Sequence, residues 1–134
     1  PPDYFLMENS MTIKTGQHTF NFSLKVPADK VDEVEASIRD HADFMRDTHS
    51  CDDSKIHLVH YYVSRSAELN NMTNPDEGTT GNMLYFINEV YVVPEGIGQH
   101  MEAAQVWPGF GTFVNVLSDY GTAHVVDGEV IETM

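Results

Sequence analysis

Residues 18–26, HTFNFSLKV, alternate in character. Phe20, Phe22, Leu24 and Val26 fall on one side, and Asn21, Ser23 and Lys25 on the other. A period of two predicts a half-buried strand, which Pro27 ends. The period then lengthens. Val31, Val34, Ile38, Ala42 and Met45 recur at steps of three and four, which predicts a helix over 27–49 with an apolar stripe. Pro27 and Asp29 suit its start, where an acidic side chain meets the positive end of the helix dipole. SCDDS (50–54) reads as a loop, and KIHLVHYYVS (55–64) as a second strand rich in β-forming residues. A turn-dense connection covers 70–82, long enough to act as a lid or a dimer arm.

MLYFINEVYVV (83–93) predicts a third strand that is apolar on both sides. Leu84, Phe86, Val90 and Val92 share one face, and Met83, Tyr85, Ile87 and Tyr91 the other. A strand of this kind is covered on both sides. A short helix follows over 94–107, opened by Pro94 and Glu95 and interrupted at Pro108-Gly109. A second short helix then presents Phe110, Phe113, Val114 and Leu117 on one face. The fourth strand starts near Thr122, and Asp127-Gly128 predicts a hairpin or bulge within it.

The order is β-α-β-β-α-β, the ferredoxin-like plan of an α+β protein: a four-stranded antiparallel sheet with helices on one face and strands one and three central. Helices on one face cover only one side of strand three. A second copy of the chain supplies the missing cover most simply, so a homodimer through the open sheet face is expected. Residues 17–134 read as one domain behind an N-terminal extension, 1–16. The chain opens Pro1-Pro2, and Met7 or Met11 would serve as a natural start.

Charge narrows the partners. Against 7 Lys and Arg stand 21 Asp and Glu, a net charge of −14, which repels phosphate backbones and anionic membranes and argues against nucleic acid. There is no apolar run long enough to span a bilayer and no secretory leader, so a cytoplasmic protein is expected. Cys51 is the only cysteine; Asp52 and Asp53 beside it oppose thiolate formation, and it reads as inert.

VPADKVDEVEASIRDHADFMR followed by FINEVYVVPEGIGQHMEAA resembles the dimeric α+β barrel superfamily, and within it the antibiotic-biosynthesis-monooxygenase-like families. The resemblance rests on Lys30 to Glu33 at a helix start, Glu89 to Tyr91 at a strand end, and His100 on the helix that follows. It implies the fold and the dimer. For function it implies a range that includes quinone-forming monooxygenases without a cofactor, haem-degrading enzymes and polyketide cyclases. The reading it favours is a cofactor-independent monooxygenase or cyclase acting on a small aromatic or polyketide-like molecule. The alternatives are a small-molecule-binding or stress-related dimer without catalysis, and a structural dimer with a filled interior.

The residues for such chemistry are few. Measured from Ile38, His41 lies about 60° to one side of the helix stripe and His49 about 20° to the other. Each is either a packed, hydrogen-bonded histidine, the commoner case, or part of a ligand pocket between helix and sheet; His41 is the better pocket candidate. Glu89, with Asn88, sits mid-strand in what should be the most buried strand. A carboxylate there acts as a general base or pairs with a cation across the dimer. His100 lies about 100° from the Met101 direction and so only flanks the interior. His41, Glu89 and His100 are thus the candidate catalytic residues, and His49, Asn88, Trp107 and Phe110 the candidate pocket residues. No metal is expected, because local spacings such as His-x-His on a strand or His-x-x-x-His on a helix are missing, and His57 and His60 should point to opposite faces.

Overall fold

The computed structural model describes residues 12–134; most of the N-terminal extension lies outside them. Strand β1 (His18–Pro27) leads through one turn of 3-10 helix (Ala28–Lys30) into helix α1 (Val31–Thr48). A two-residue strand β2 (His49–Ser50) is followed by β3 (Ile56–Leu69) and, after a 3-10 turn at Pro75–Glu77, by β4 (Thr79–Tyr91). Helices α2 (Glu95–Gln105) and α3 (Phe110–Tyr120) precede β5 (Gly121–Glu129). The fold is a mixed α+β arrangement in which one five-stranded sheet is ordered β2-β3-β4-β1-β5. The β2–β3 pair is parallel and the others antiparallel. Strands β1 and β4 are interior, as expected of strands one and three. Among the described residues no helix is long and apolar enough to cross a membrane.

Register decides which side chains meet. Phe20 stands opposite Glu89, Phe22 opposite Ile87 and Leu24 opposite Tyr85, all turned toward the helices. From above, Val34, Ile38, Phe44 and Met45 of α1, Ile97 and Ala104 of α2, and Phe113 and Val116 of α3 close over them. The intervening positions, Asn21 opposite Asn88 and Ser23 opposite Phe86, face the other way.

Several boundaries differ from the sequence expectation. His49 is not the last residue of a helix: its backbone is extended (φ −120°, ψ 158°), and it opens β2. The β3–β4 ribbon is longer than expected, because β3 runs on to Leu69 and β4 starts at Thr79. The polar run 64–69 carries no alternation, yet backbone pairing holds it without a buried face. Glu68 fastens the ribbon to its neighbours, with Lys25 Nζ at 2.7 Å and Thr80 Oγ1 at 2.8 Å. In β3, Leu58 pairs with Tyr91 and His60 with Val90, which leaves Val59 as an extra residue. That bulge breaks the parity on which opposite faces for His57 and His60 were argued. A second slip falls opposite Val126-Asp127 in β5, where Thr19 pairs with Gly128 but Asn21 with Val125.

One close approach ties the second helix to the sheet. A Cβ added at Gly96 would lie 2.5 Å from Cδ1 and 3.1 Å from Cβ of Tyr91, a fully buried ring. Gly96→Ala is therefore expected to destabilise the protein by roughly 1–3 kcal/mol through overpacking. Urea unfolding would measure it, and a neutral result would mean that Tyr91 is free to move.

Candidate functional site

Glu89 projects from the middle of β4 into the space beneath the helices and is 0% exposed. Its Oε2 is 3.8 Å from Nε2 of His41, on α1, and its Oε1 is 3.6 Å from Nδ1 of His100, on α2. Donor atoms of the three residues all lie within 4.8 Å of one another. His49, at the end of α1, joins through His100, with 3.1 Å between its Nε2 and Nδ1 of His100. Helices α1 and α2 thus bring two imidazoles to one buried carboxylate on β4, and His49 at the start of β2 adds a third through His100.

The hydrogen bonds fix part of the protonation pattern. Thr48 Oγ1 donates its only hydrogen to the Phe44 carbonyl at 2.7 Å. The 2.8 Å contact between Thr48 Oγ1 and His49 Nδ1 must then be donated by the imidazole. Neutral His49 therefore presents a bare Nε2 to the interior. With Glu89 ionised, Tyr91 donates to Glu89 Oε1 at 2.7 Å, and His100 Nδ1–H meets the His49 lone pair. With Glu89 protonated, the same atoms run the other way: the carboxyl donates to Tyr91, and Tyr91 donates to His49 Nε2, 3.0 Å away. His41 is anchored separately, its Nδ1 3.1 Å from the Tyr61 hydroxyl. Glu89 Oε2 has no hydrogen-bond partner.

Burial sets the charge. It pushes the Glu89 carboxyl up to about 7, against a smaller opposing pull from the Tyr91 hydrogen bond. Burial also pushes His41 and His49 down to about 3, helped by repulsion from His100, and His100 down to about 4. The tyrosine hydroxyls of Tyr61 and Tyr91 are raised, first by burial and then by the Glu89 charge. At neutral pH the imidazoles are uncharged, and the carboxylate has no cation beside it.

A cavity of about 380 Å³ opens against this cluster. His41 and His100 form part of its wall, and Phe20, Trp107, Phe110 and Phe113 supply much of the rest. The His41 ring stacks flat on Phe113, with centroids 4.2 Å apart and planes 5° apart.

His41 is 2% exposed and hydrogen-bonded, yet it also faces the cavity, so its two readings hold together. Trp107 and Phe110 line the cavity. His49 is buried but lies behind His100 rather than on the cavity wall. Asn88 lies on the opposite sheet face, where its Oδ1 accepts from Asn21 Nδ2 at 2.9 Å. His100 is inside, not flanking: the buried positions of α2 are Gly96, Ile97, His100 and Ala104, so its inner face is not centred on Met101. The sequence reading assigns no site role to Tyr61, Tyr91 or the cavity-lining His124. For Tyr91 the signal was present, since it shares the strand parity of Glu89 two residues away.

No protein-family model matches the chain, and no curated protein matches it either. The charge balance of the site itself carries a prediction. Each of the three histidines has a folded value below its ordinary 6.5. Each therefore contributes stability that is present above about pH 6.5 and lost as pH falls toward 3–4. Glu89 runs the opposite way, with stability present below its ordinary 4.5 and lost as pH rises through about 7. Between these limits three groups oppose one. The stability of the protein should drop as pH goes from 7 to 5, at up to about 1.4 kcal/mol per pH unit for each histidine. Urea midpoints across that range would measure the drop, and His41→Phe should flatten the profile.

Proposed function

We propose that the chain is a ferredoxin-like protein that works as a homodimer of the α+β barrel kind. Once the two-residue β2 is set aside, the order β3-β4-β1-β5 with helices on one face supports this reading. So does the uncovered face, where Tyr62 of β3 is 54%, Phe86 of β4 49% and Val125 of β5 41% exposed. Burying such side chains contributes roughly 1.5–3 kcal/mol each. Light scattering at micromolar concentration should give twice the chain mass, and Phe86→Asp should shift it toward one chain. A folded, unsubstituted monomer would defeat the dimer.

The function that the geometry supports best is an enzyme acting on a small aromatic or polyketide-like molecule. The observation that carries it is the cavity of about 380 Å³, walled by aromatic rings and bearing His41 and His100 where it meets Glu89. Its volume falls in the range of small-molecule sites, roughly 300–1,000 Å³. An apolar wall holds the rings, and the histidines stand where a hydroxyl or an activated C–H would lose its proton. A neutral imidazole takes the proton, the Glu89 charge behind it stabilises the imidazolium, and Tyr61 and His49 hold the rings in place.

A panel of quinols and hydroxyaromatics, followed by oxygen uptake and product absorbance, tests the reading. Turnover of at least one member is expected. Glu89→Gln should lower kcat by about 100-fold or more while ligand affinity changes little. Tight binding of the panel with no turnover in any condition would replace the enzyme by a small-molecule-binding dimer.

A further inference from the structure

The geometry points to a divalent transition-metal site formed by His41 Nε2, His100 Nδ1 and the Glu89 carboxylate. It deepens the reading above by concerning the same site, and rests on that reading only for what would bind beside the ion. Imidazole nitrogen and carboxylate oxygen ligate such ions at about 2.0–2.2 Å, which separates neighbouring ligands by roughly 3–4 Å. The observed separations are 3.8 Å from His41 to Glu89 and 3.6 Å from His100 to Glu89.

Two independent observations support an ion rather than a chance cluster. Glu89 is fully buried, and its Oε2 has no hydrogen-bond partner, although a buried polar atom almost always finds one. Its ion-pair partners among the described residues are histidines alone, with no lysine or arginine. The surroundings also hold the ligands as metal sites do. Tyr61 engages His41 Nδ1 and leaves Nε2 pointing at Glu89, and Thr48 fixes His49 so that its bare Nε2 lies 3.1 Å from His100 Nδ1. With an ion bound, His100 would carry its one hydrogen on Nε2 and leave Nδ1 bare, and the bare His49 Nε2 stands as a further nitrogen donor beside it.

The donor set selects the class of ion. Two imidazoles and a carboxylate without thiolate suit Fe(II), Zn(II) or Co(II), and this ligand combination with open positions is that of non-haem iron sites. Mg²⁺ and Ca²⁺ prefer all-oxygen shells. His41 and His100 also line the cavity, so the open positions of a bound ion adjoin the space for a small molecule.

Full-length protein stripped with a chelator would be titrated with CoCl₂ and then with ZnCl₂. One Co²⁺ per chain is expected, with visible d–d absorption that Zn²⁺ abolishes and a hundredfold excess of Mg²⁺ does not. Glu89→Gln, close in shape to the carboxylate, should weaken binding by more than the ~10–100-fold typical of an outer partner. His124→Gln, on the same cavity but outside the ligand set, should leave it unchanged. Imidazole ¹⁵N spectra of the unsubstituted chain read the site without any substitution. Zn²⁺ should move the His41 and His100 resonances and leave those of His60 and His124 in place. Equal binding by Glu89→Gln, shifts confined to other histidines, or no Co²⁺ binding at micromolar concentration would overturn the site. Turnover by metal-free protein would overturn the metal in catalysis while leaving the enzyme reading intact. Metal binding without turnover would do the reverse.

Discussion

A carboxylate on an interior strand, walled off from water, is the constraint around which this molecule is arranged. Glu89 sits on β4 between Ile87 and Tyr91, all three wholly buried. Leaving a charge there uncompensated costs several kcal/mol, so either a proton or a partner must accompany it. The neighbours reflect that demand. Tyr91 turns its hydroxyl back toward Oε1, and the middle turns of α1 and α2 bring imidazoles rather than alkyl groups to positions that core packing would fill with leucine.

The same constraint explains why the helices are placed with little slack. Phe44 stacks on Trp107 at 4.9 Å and His41 on Phe113 at 4.2 Å, so α1 is held against the segment joining α2 and α3 by rings on both sides of the imidazole. Gly96 lets the start of α2 lie directly on Tyr91. These contacts position the histidines through backbone and ring packing, and they leave Glu89 Oε2 without a side-chain hydrogen bond.

Much of the fold was legible because it depends on period. β1 and the stripe of α1 follow from alternation and from steps of three and four, and the break at Pro108-Gly109 separates α2 from α3 as local chemistry requires. What periodicity could not carry was any departure from it. The bulge at Val59 changes face without a change in composition, and the ribbon beyond Ser64 is paired without a buried face. His49 is instructive. A helix continued to His49 would also turn it inward, but the helix ends at Thr48, and extended backbone at β2 buries the ring. The site was only half visible for the same reason. Local spacing rules search within one element, whereas His41, Glu89 and His100 come from three elements that meet through the strand register.

Two imidazole nitrogens 3.1 Å apart share one proton between them, or give it up and face a common cation. That choice links the whole cluster. Thr48 forbids His49 Nε2 a proton of its own while the ring is neutral, so the hydrogen between the rings belongs to His100. Glu89 Oε1 accepts the Tyr91 hydrogen, and Oε2 has no hydrogen bond. Protonating the carboxyl supplies a hydrogen to one side of it and leaves the His41 side, 3.8 Å away, without a bond. A cation between His41, Glu89 and His100 satisfies both oxygens and both nitrogens at once. Of the two ways to neutralise this buried charge, the ion is the one that accounts for the side facing His41.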